Sequence, residues 1–164
     1  KVVAVFQFLK QENLQSLIHE FKYRGNKRLA FKLGELLGNL LANLFNEVDA
    51  VSFVPMFTNK EMKRGYNQAE ILANGFSSST GIKVCNLLKR VDDTSTQTEK
   101  GVFERFENMQ GKFQLIKEVT NIKHILLIDD VITTGATLAA CAKVLTKNGI
   151  KVSIVCLAYR GLIS

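Results

Sequence analysis

At 164 residues the chain is the length of one domain, and a domain of that size buries roughly two thirds of the surface its unfolded chain exposes. Hydrophobic content of 46% and charged content of 23% are ordinary for a soluble globular protein, while Lys and Arg exceed Asp and Glu by 22 to 15. The resulting net charge of +7 suits a polyanionic ligand, either a small polyphosphate or a nucleic acid. No apolar run reaches the roughly 20 residues of a membrane span, and nothing from Lys1 onward has the pattern of a signal peptide. A cytoplasmic protein is therefore expected, and a start at Lys rather than Met leaves room for an upstream segment. Cys85, Cys141 and Cys156 fall in separate predicted elements without a CxxC pair, which suggests neither a disulfide framework nor a zinc site. They read as buried small hydrophobes.

Residues 2–8 are apolar and β-branched, a strand. Leu14, Leu17, Ile18 and Phe21 recur at helical spacing up to Gly25, and the cation-rich run Phe21–Arg28 joins that helix to the next. Residues 29–45 read as a long helix whose Leu33, Leu36, Leu37, Leu40, Leu41 and Leu44 supply core. Ala50–Val54 is a buried strand ended by Pro55, the only proline, which cannot donate to a strand ladder. A cationic loop with Lys60, Lys63 and Arg64 then leads into a helix that starts near Gly65 or Asn67 and ends at 79–81. Cations before a helix N-terminus oppose its dipole, so they are better explained by a bound anion.

Residues 84–90 are a further predicted strand, and the polar stretch 91–112 is too long for a plain connection, which suits a lid. Ile125–Ile128 is a continuous apolar run, the pattern of a strand buried on both faces of a parallel sheet. Asp129 and Asp130 follow at its carboxyl end, where open α/β sheets bind ligands. Thr133, Thr134, Gly135, Ala136 and Thr137 lead into a helix closed by Gly149, and Lys151–Tyr159 is the last strand. A small, hydroxyl-rich loop at a helix N-terminus offers free N–H groups and the positive dipole end to a phosphate. Two carboxylates just before such a cradle suit a ribose whose vicinal hydroxyls they hold while its 5-phosphate sits in the loop.

The segment ILLIDDVITTGAT, residues 125–137, resembles the 5-phosphoribosyl-1-pyrophosphate (PRPP) signature of type I phosphoribosyltransferases. The stretch from Val54 and Pro55 through a basic loop to RGYNQAEILA, where Arg64, Gly65, Tyr66, Asn67 and Gln68 match, is similar to the ComF family within that superfamily, bacterial proteins associated with competence for DNA uptake. Gln97, Arg105, Asn108 and Phe113 extend the likeness. Two departures stand out: the N-terminal zinc module of many members has no counterpart in residues 1–164, and Phe53 stands where the family has the first proline of a PxP pair.

The resemblance implies one α/β domain over residues 1–164, a parallel central sheet flanked by helices, with a flexible hood over about 91–112. It implies that Asp129 and Asp130 are catalytic and bind the ribose, and that Thr133–Thr137 bind the 5-phosphate. Pyrophosphate would fall to Pro55, Lys63, Arg64, Gly65, Asn67, Arg90, Lys100 and Arg105. Mg²⁺ would be bound mainly through PRPP oxygens and water, with Asp129 and Asp130 nearby. The implied activity is transfer of the phosphoribosyl group to a nitrogen nucleophile, in nucleotide metabolism or linked to DNA uptake; the alternative is a non-catalytic factor that holds PRPP or single-stranded DNA. No acceptor pocket is readable, neither His19 nor His124 is assigned a role, and a homodimer is the default assembly for a soluble protein.

Overall fold

The run Ile125–Ile128 is fully buried, as expected of a strand covered on both faces, and the molecule is layered around it. The computed structural model describes residues 1–7, 26–91, 111–116 and 121–159. The expected first helix, including His19, the side chain of Lys60, and Gln97, Lys100, Arg105 and Asn108 of the expected hood lie outside the described residues.

Strand β1 is Val2–Gln7, followed by helix α1 (Lys27–Leu41), a 3-10 turn at Ala42–Leu44 and strand β2 (Ala50–Phe53). Helices α2 (Thr58–Arg64) and α3 (Gln68–Thr80) come next, then strands β3 (Leu88–Arg90) and β4 (Phe113–Leu115). Strand β5 (His124–Ile132), helix α4 (Ala136–Lys147) and strand β6 (Lys151–Tyr159) complete the order. The central sheet is parallel throughout, in the order β1-β6-β5-β2. This is the parallel central sheet flanked by helices that the resemblance implies.

Alternation along β5 splits its apolar run between two cores. Leu126 and Ile128 join α1 and α3 on one face; Ile125 and Leu127 meet Leu138, Cys141 and Leu145 of α4 on the other. The second core also holds Leu88 and Phe113 from a small antiparallel pair, β3 with β4. The predicted strand over 84–90 is thus two pieces. Val84 forms a single parallel bridge to Val51 at the outer side of β2, and only Leu88–Arg90 forms a ladder, with a partner more than twenty residues downstream. Cys141 and Cys156 are fully buried as expected, whereas Cys85 is only partly so.

Helix α1 corrects another expectation. Leu33, Leu37 and Leu41 are buried, but Leu36, Leu40 and Leu44 are 39%, 57% and 49% exposed. Residues four apart share a helix face, and the row of Leu33, Leu37 and Leu41 is the one that joins the described core. Beside the shared core side chains, the backbones of α1 and α3 approach closely: a Cβ on Gly34 would run into the Leu72 carbonyl, and one on Gly75 into the Phe31 carbonyl. Among the described residues no helix is long and apolar enough to cross a membrane.

At the foot of β5, His124 Nε2 lies 2.9 Å from Ser153 Oγ, and the Glu47 backbone carbonyl accepts from the ring. A carbonyl only accepts, so neutral His124 donates there and accepts the Ser153 hydroxyl hydrogen bond at Nε2. Asp49 Oδ2 accepts the backbone N–H groups of Lys123 and His124 at 2.7 and 2.8 Å, which fixes the entry of β5.

Gly75→Ala is expected to lower stability by about 1–3 kcal/mol through overpacking of α1 on α3. Chemical unfolding should show a lower denaturant midpoint at an unchanged slope. Burial, and then the charge of Lys151, push the His124 pKa below the usual 6.5. The neutral ring is favoured by folding, so its contribution is complete above the unfolded value and is lost as pH falls through the folded one. Stability measured from about pH 7 to pH 5 should therefore decline more in the native chain than in His124→Asn.

Candidate functional site

Pairing of β2 with β5 ends at Phe53↔Ile128, whereas β5 continues beside β6 as far as Ile132↔Tyr159. Asp129 and Asp130 therefore lie within β5, not beyond its end, and face the gap that β2 vacates. The cause is local. The Val54 N–H makes the last rung, to the Ile128 carbonyl at 3.0 Å; the next would join the Asp130 N–H to the Val54 carbonyl, but the first donates to Asp129 Oδ1 and the second accepts from Asn67 Nδ2. Phe53, at the position of the family's missing proline, is buried in the core and extends the ladder by a residue. From β5 the chain crosses through α4 to β6 on one side; from β2 it crosses through α2 and α3 to Val84 on the other. Strand order reverses between β2 and β5, and crevices at such points are where open α/β sheets bind ligands.

A cleft of about 350 Å³ opens there. One wall is Val54, Pro55, Met56, Phe57, Arg64, Asn67, Gln68, Ala69 and Arg90; the other is Asp129, Asp130 and Thr137. A smaller hollow adjoins it, bounded by Asp129 and by residues 131–138. The carboxylates are oriented by their own backbone: Asp129 Oδ1 accepts the Asp130 N–H at 2.8 Å, and Asp130 Oδ1 accepts the Val131 N–H at 2.6 Å. Gly135 caps α4 at φ +75°, a left-handed conformation that suits glycine, and has no side chain with which to bond the first-turn N–H groups. The Ala136 N–H is taken by Thr134 Oγ1 at 3.4 Å; the remaining donors, with the hydroxyls of Thr133 and Thr137 near them, match an anionic ligand. Burial, and then the charge of Asp129, drive the Cys141 and Cys156 thiols up, so both stay protonated and neither is a nucleophile.

The facing wall is built at the α2–α3 corner. Asn67 uses both ends of its amide: Oδ1 accepts the Ala69 N–H at 3.0 Å as the N-cap of α3, and Nδ2 donates to the Val54 carbonyl at 3.0 Å. The loop after β2 is thereby fastened to the start of α3. Arg90 is set from the other side. Its guanidinium lies 3.4 Å from the ring centre of Phe57 and 5.2 Å from that of Phe113, a stacked cation held at the cleft margin.

The cleft and its hollow thus bring together Pro55, Arg64, Asn67, Arg90, Asp129, Asp130 and Thr133–Thr137. Lys63 and Gly65 line neither, and Lys100 and Arg105 lie outside the described residues. The supposed cationic loop is helix α2, with Lys63 and Arg64 in its last turn. There the dipole favours cations, so the argument that they oppose it fails. Arg64 belongs to the site because Nη1 donates to Gln68 Oε1 at 2.9 Å and its side chain lines the cleft. Sequence reasoning missed Phe57 and quoted Phe113 and Gln68 only as parts of a motif; the meeting of both rings with Arg90 joins segments far apart in the chain.

Residues 62–162 match the family model of the phosphoribosyl transferase domain. The chain belongs to that family, in its ComF branch. It is 31% identical over 163 residues to Competence protein F of Haemophilus influenzae, covering 92% of this chain and 69% of that protein. It is 30% identical over 144 residues to the DNA utilization protein YhgH of Escherichia coli K12, covering 83% of this chain and 62% of that one. The chain thus spans about two thirds of the length of these relatives. Among solved structures, an allosteric regulatory enzyme of purine biosynthesis superposes with a TM-score of 0.50 at 23% identity over 77% of this chain and 25% of that chain. The glutamine PRPP amidotransferase from B. subtilis gives 0.50 at 22% over 76% and 26%. At such identities the likeness shows the fold.

Asn67→Ala removes both the cap and the bond to Val54 and is expected to cost about 0.5–2 kcal/mol from the cap alone. Asn67→Asp keeps the cap acceptor but loses the donor, so thermal unfolding should place its midpoint between native and Asn67→Ala.

Proposed function

We propose that this ComF-branch phosphoribosyltransferase-domain protein binds PRPP with Mg²⁺ and transfers its phosphoribosyl group to a nitrogen nucleophile, releasing pyrophosphate, in nucleotide metabolism or in the use of DNA taken up by the cell. The observation that carries this reading is a cleft with its adjoining hollow, with two carboxylates and the start of α4 on one side and Arg64, Asn67 and Arg90 on the other. A sugar bearing a phosphate at each end fits that polarity.

The 5-phosphate would accept from the first-turn N–H groups of α4, and Asp129 and Asp130 would accept from the ribose hydroxyls. As the bond from C1 to the pyrophosphate oxygen breaks, positive charge grows on the ring and the electron pair leaves with pyrophosphate. The carboxylates oppose the first charge and Arg64 and Arg90 the second, so most of the effect is electrostatic preorganisation and positioning. The nucleophile then bonds to C1 and gives up its proton. Mg²⁺ fits the donor set, because two adjacent carboxylates suit an ion that keeps waters and substrate oxygens. When bound, Mg²⁺ neutralises part of the diphosphate charge.

Calorimetric titration with PRPP and Mg²⁺, followed by pyrophosphate release across a panel of purine and pyrimidine acceptors, tests this. Asp130→Asn is expected to reduce release by a factor on the order of 10²; turnover unaffected by that change would sink the transferase reading. The net charge of +7 supports a second reading, a non-catalytic protein that holds single-stranded DNA. That reading requires retention of an oligonucleotide at low salt that falls steeply as salt is added, and no retention removes it.

A further inference from the structure

Gln68 is 1% exposed, occupies the first turn of α3 and lines the cleft. Its Oε1 accepts from Arg64 Nη1 at 2.9 Å. A guanidinium has donors only, so the amide cannot be turned around: oxygen must face Arg64, and both N–H groups at Nε2 point elsewhere. Among the described residues Nε2 has no hydrogen-bond partner, although it is fully buried. Buried amide donors are nearly always satisfied, so an orphan at this place calls for a partner brought in from outside. The neighbouring Asn67 makes the contrast, since it spends both ends of the same kind of amide on the protein's own backbone.

What such a donor takes is an acceptor, and its surroundings say which kind. Nε2 belongs to the wall that also carries Arg64 and Arg90, across the cleft from Asp129 and Asp130. A sugar hydroxyl is drawn to the carboxylates, whereas an anionic oxygen is drawn to the cationic wall. We propose that Gln68 is a specificity-determining residue whose Nε2 donates to a diphosphate oxygen, with Arg64 fixing the amide so that only its donor end meets the ligand. The inference rests on the PRPP reading above, and it adds that the site selects for a diphosphate rather than for a sugar phosphate alone.

The test compares the full chain with Gln68→Glu and Gln68→Met, titrating PRPP, inorganic pyrophosphate and ribose 5-phosphate, each with Mg²⁺. Glu keeps an acceptor for Arg64 and strengthens it by charge, but has no donor. Met is unbranched, of similar length and uncharged. Both variants should bind PRPP and pyrophosphate roughly tenfold to a hundredfold more weakly while ribose 5-phosphate changes little, the loss expected for one hydrogen bond to a charged oxygen. Without ligand, the thermal midpoint of Gln68→Glu should equal or exceed that of the native chain, because no satisfied contact is removed. Native-like pyrophosphate affinity in either variant overturns the inference and leaves PRPP binding standing. A uniform loss for all three ligands with a lowered midpoint also overturns it, because that is a structural role. If the native chain binds pyrophosphate but not PRPP, the transferase reading falls and Gln68 is judged on pyrophosphate; binding of neither removes both.

Discussion

The structure depends on where one strand pair stops. Parallel pairing of β2 with β5 carries four residues in register, and the Val54 N–H closes it against the Ile128 carbonyl. Because the Val54 carbonyl is taken by Asn67 and the Asp130 N–H by the Asp129 carboxylate, the next rung is not made, while β5 has a second partner in β6 and continues. One strand that ends beside one that does not leaves two consecutive, half-buried aspartates with no strand pairing on the β2 side. Everything the cleft contains is arranged around that gap: the cradle at the start of α4 on one flank, the α2–α3 corner on the other.

Much of this was legible in the sequence because local rules and tertiary demands agree there. Ile125–Ile128 reads as a doubly buried strand and is one, since no polar residue interrupts it. Gly149 and Gly81 end their helices where the pattern said, and Thr133–Thr137 lie at the start of α4 as their place in the sequence implied. The unreadable parts are those decided by partners distant in the chain. No local signal tells that Leu88–Arg90 pairs with Phe113–Leu115, or that Arg90 is stacked between Phe57 and Phe113. Helix α2 was hidden because its seven residues, TNKEMKR, have no apolar period, and the leucines of α1 were over-counted because helical spacing identifies a face without saying what covers it.

The site also shows how similar side chains acquire different standing from their neighbours. Asn67 and Gln68 are adjacent amides; the first is consumed in joining a loop to a helix, and the second is held by Arg64 at one end alone. Lys63 and Arg64 are adjacent cations in one helical turn, yet the first faces solvent and the second the cleft. Residue type suggested the chemistry in each case, and position relative to the β2 terminus determined who could take part.

The bridge at Val51 has a bearing on how the protein behaves in a crowded solution. Strand β2 has β5 on one side only, and a bare outer margin would invite a foreign strand to zip onto it. Both main-chain groups of Val51 on that margin are already engaged, its N–H with the Lys83 carbonyl at 2.9 Å and its carbonyl with the Cys85 N–H at 2.8 Å. A single rung, too short to be called a strand, thus denies the incoming chain its consecutive contacts and guards the margin nearest the cleft against edge-to-edge aggregation.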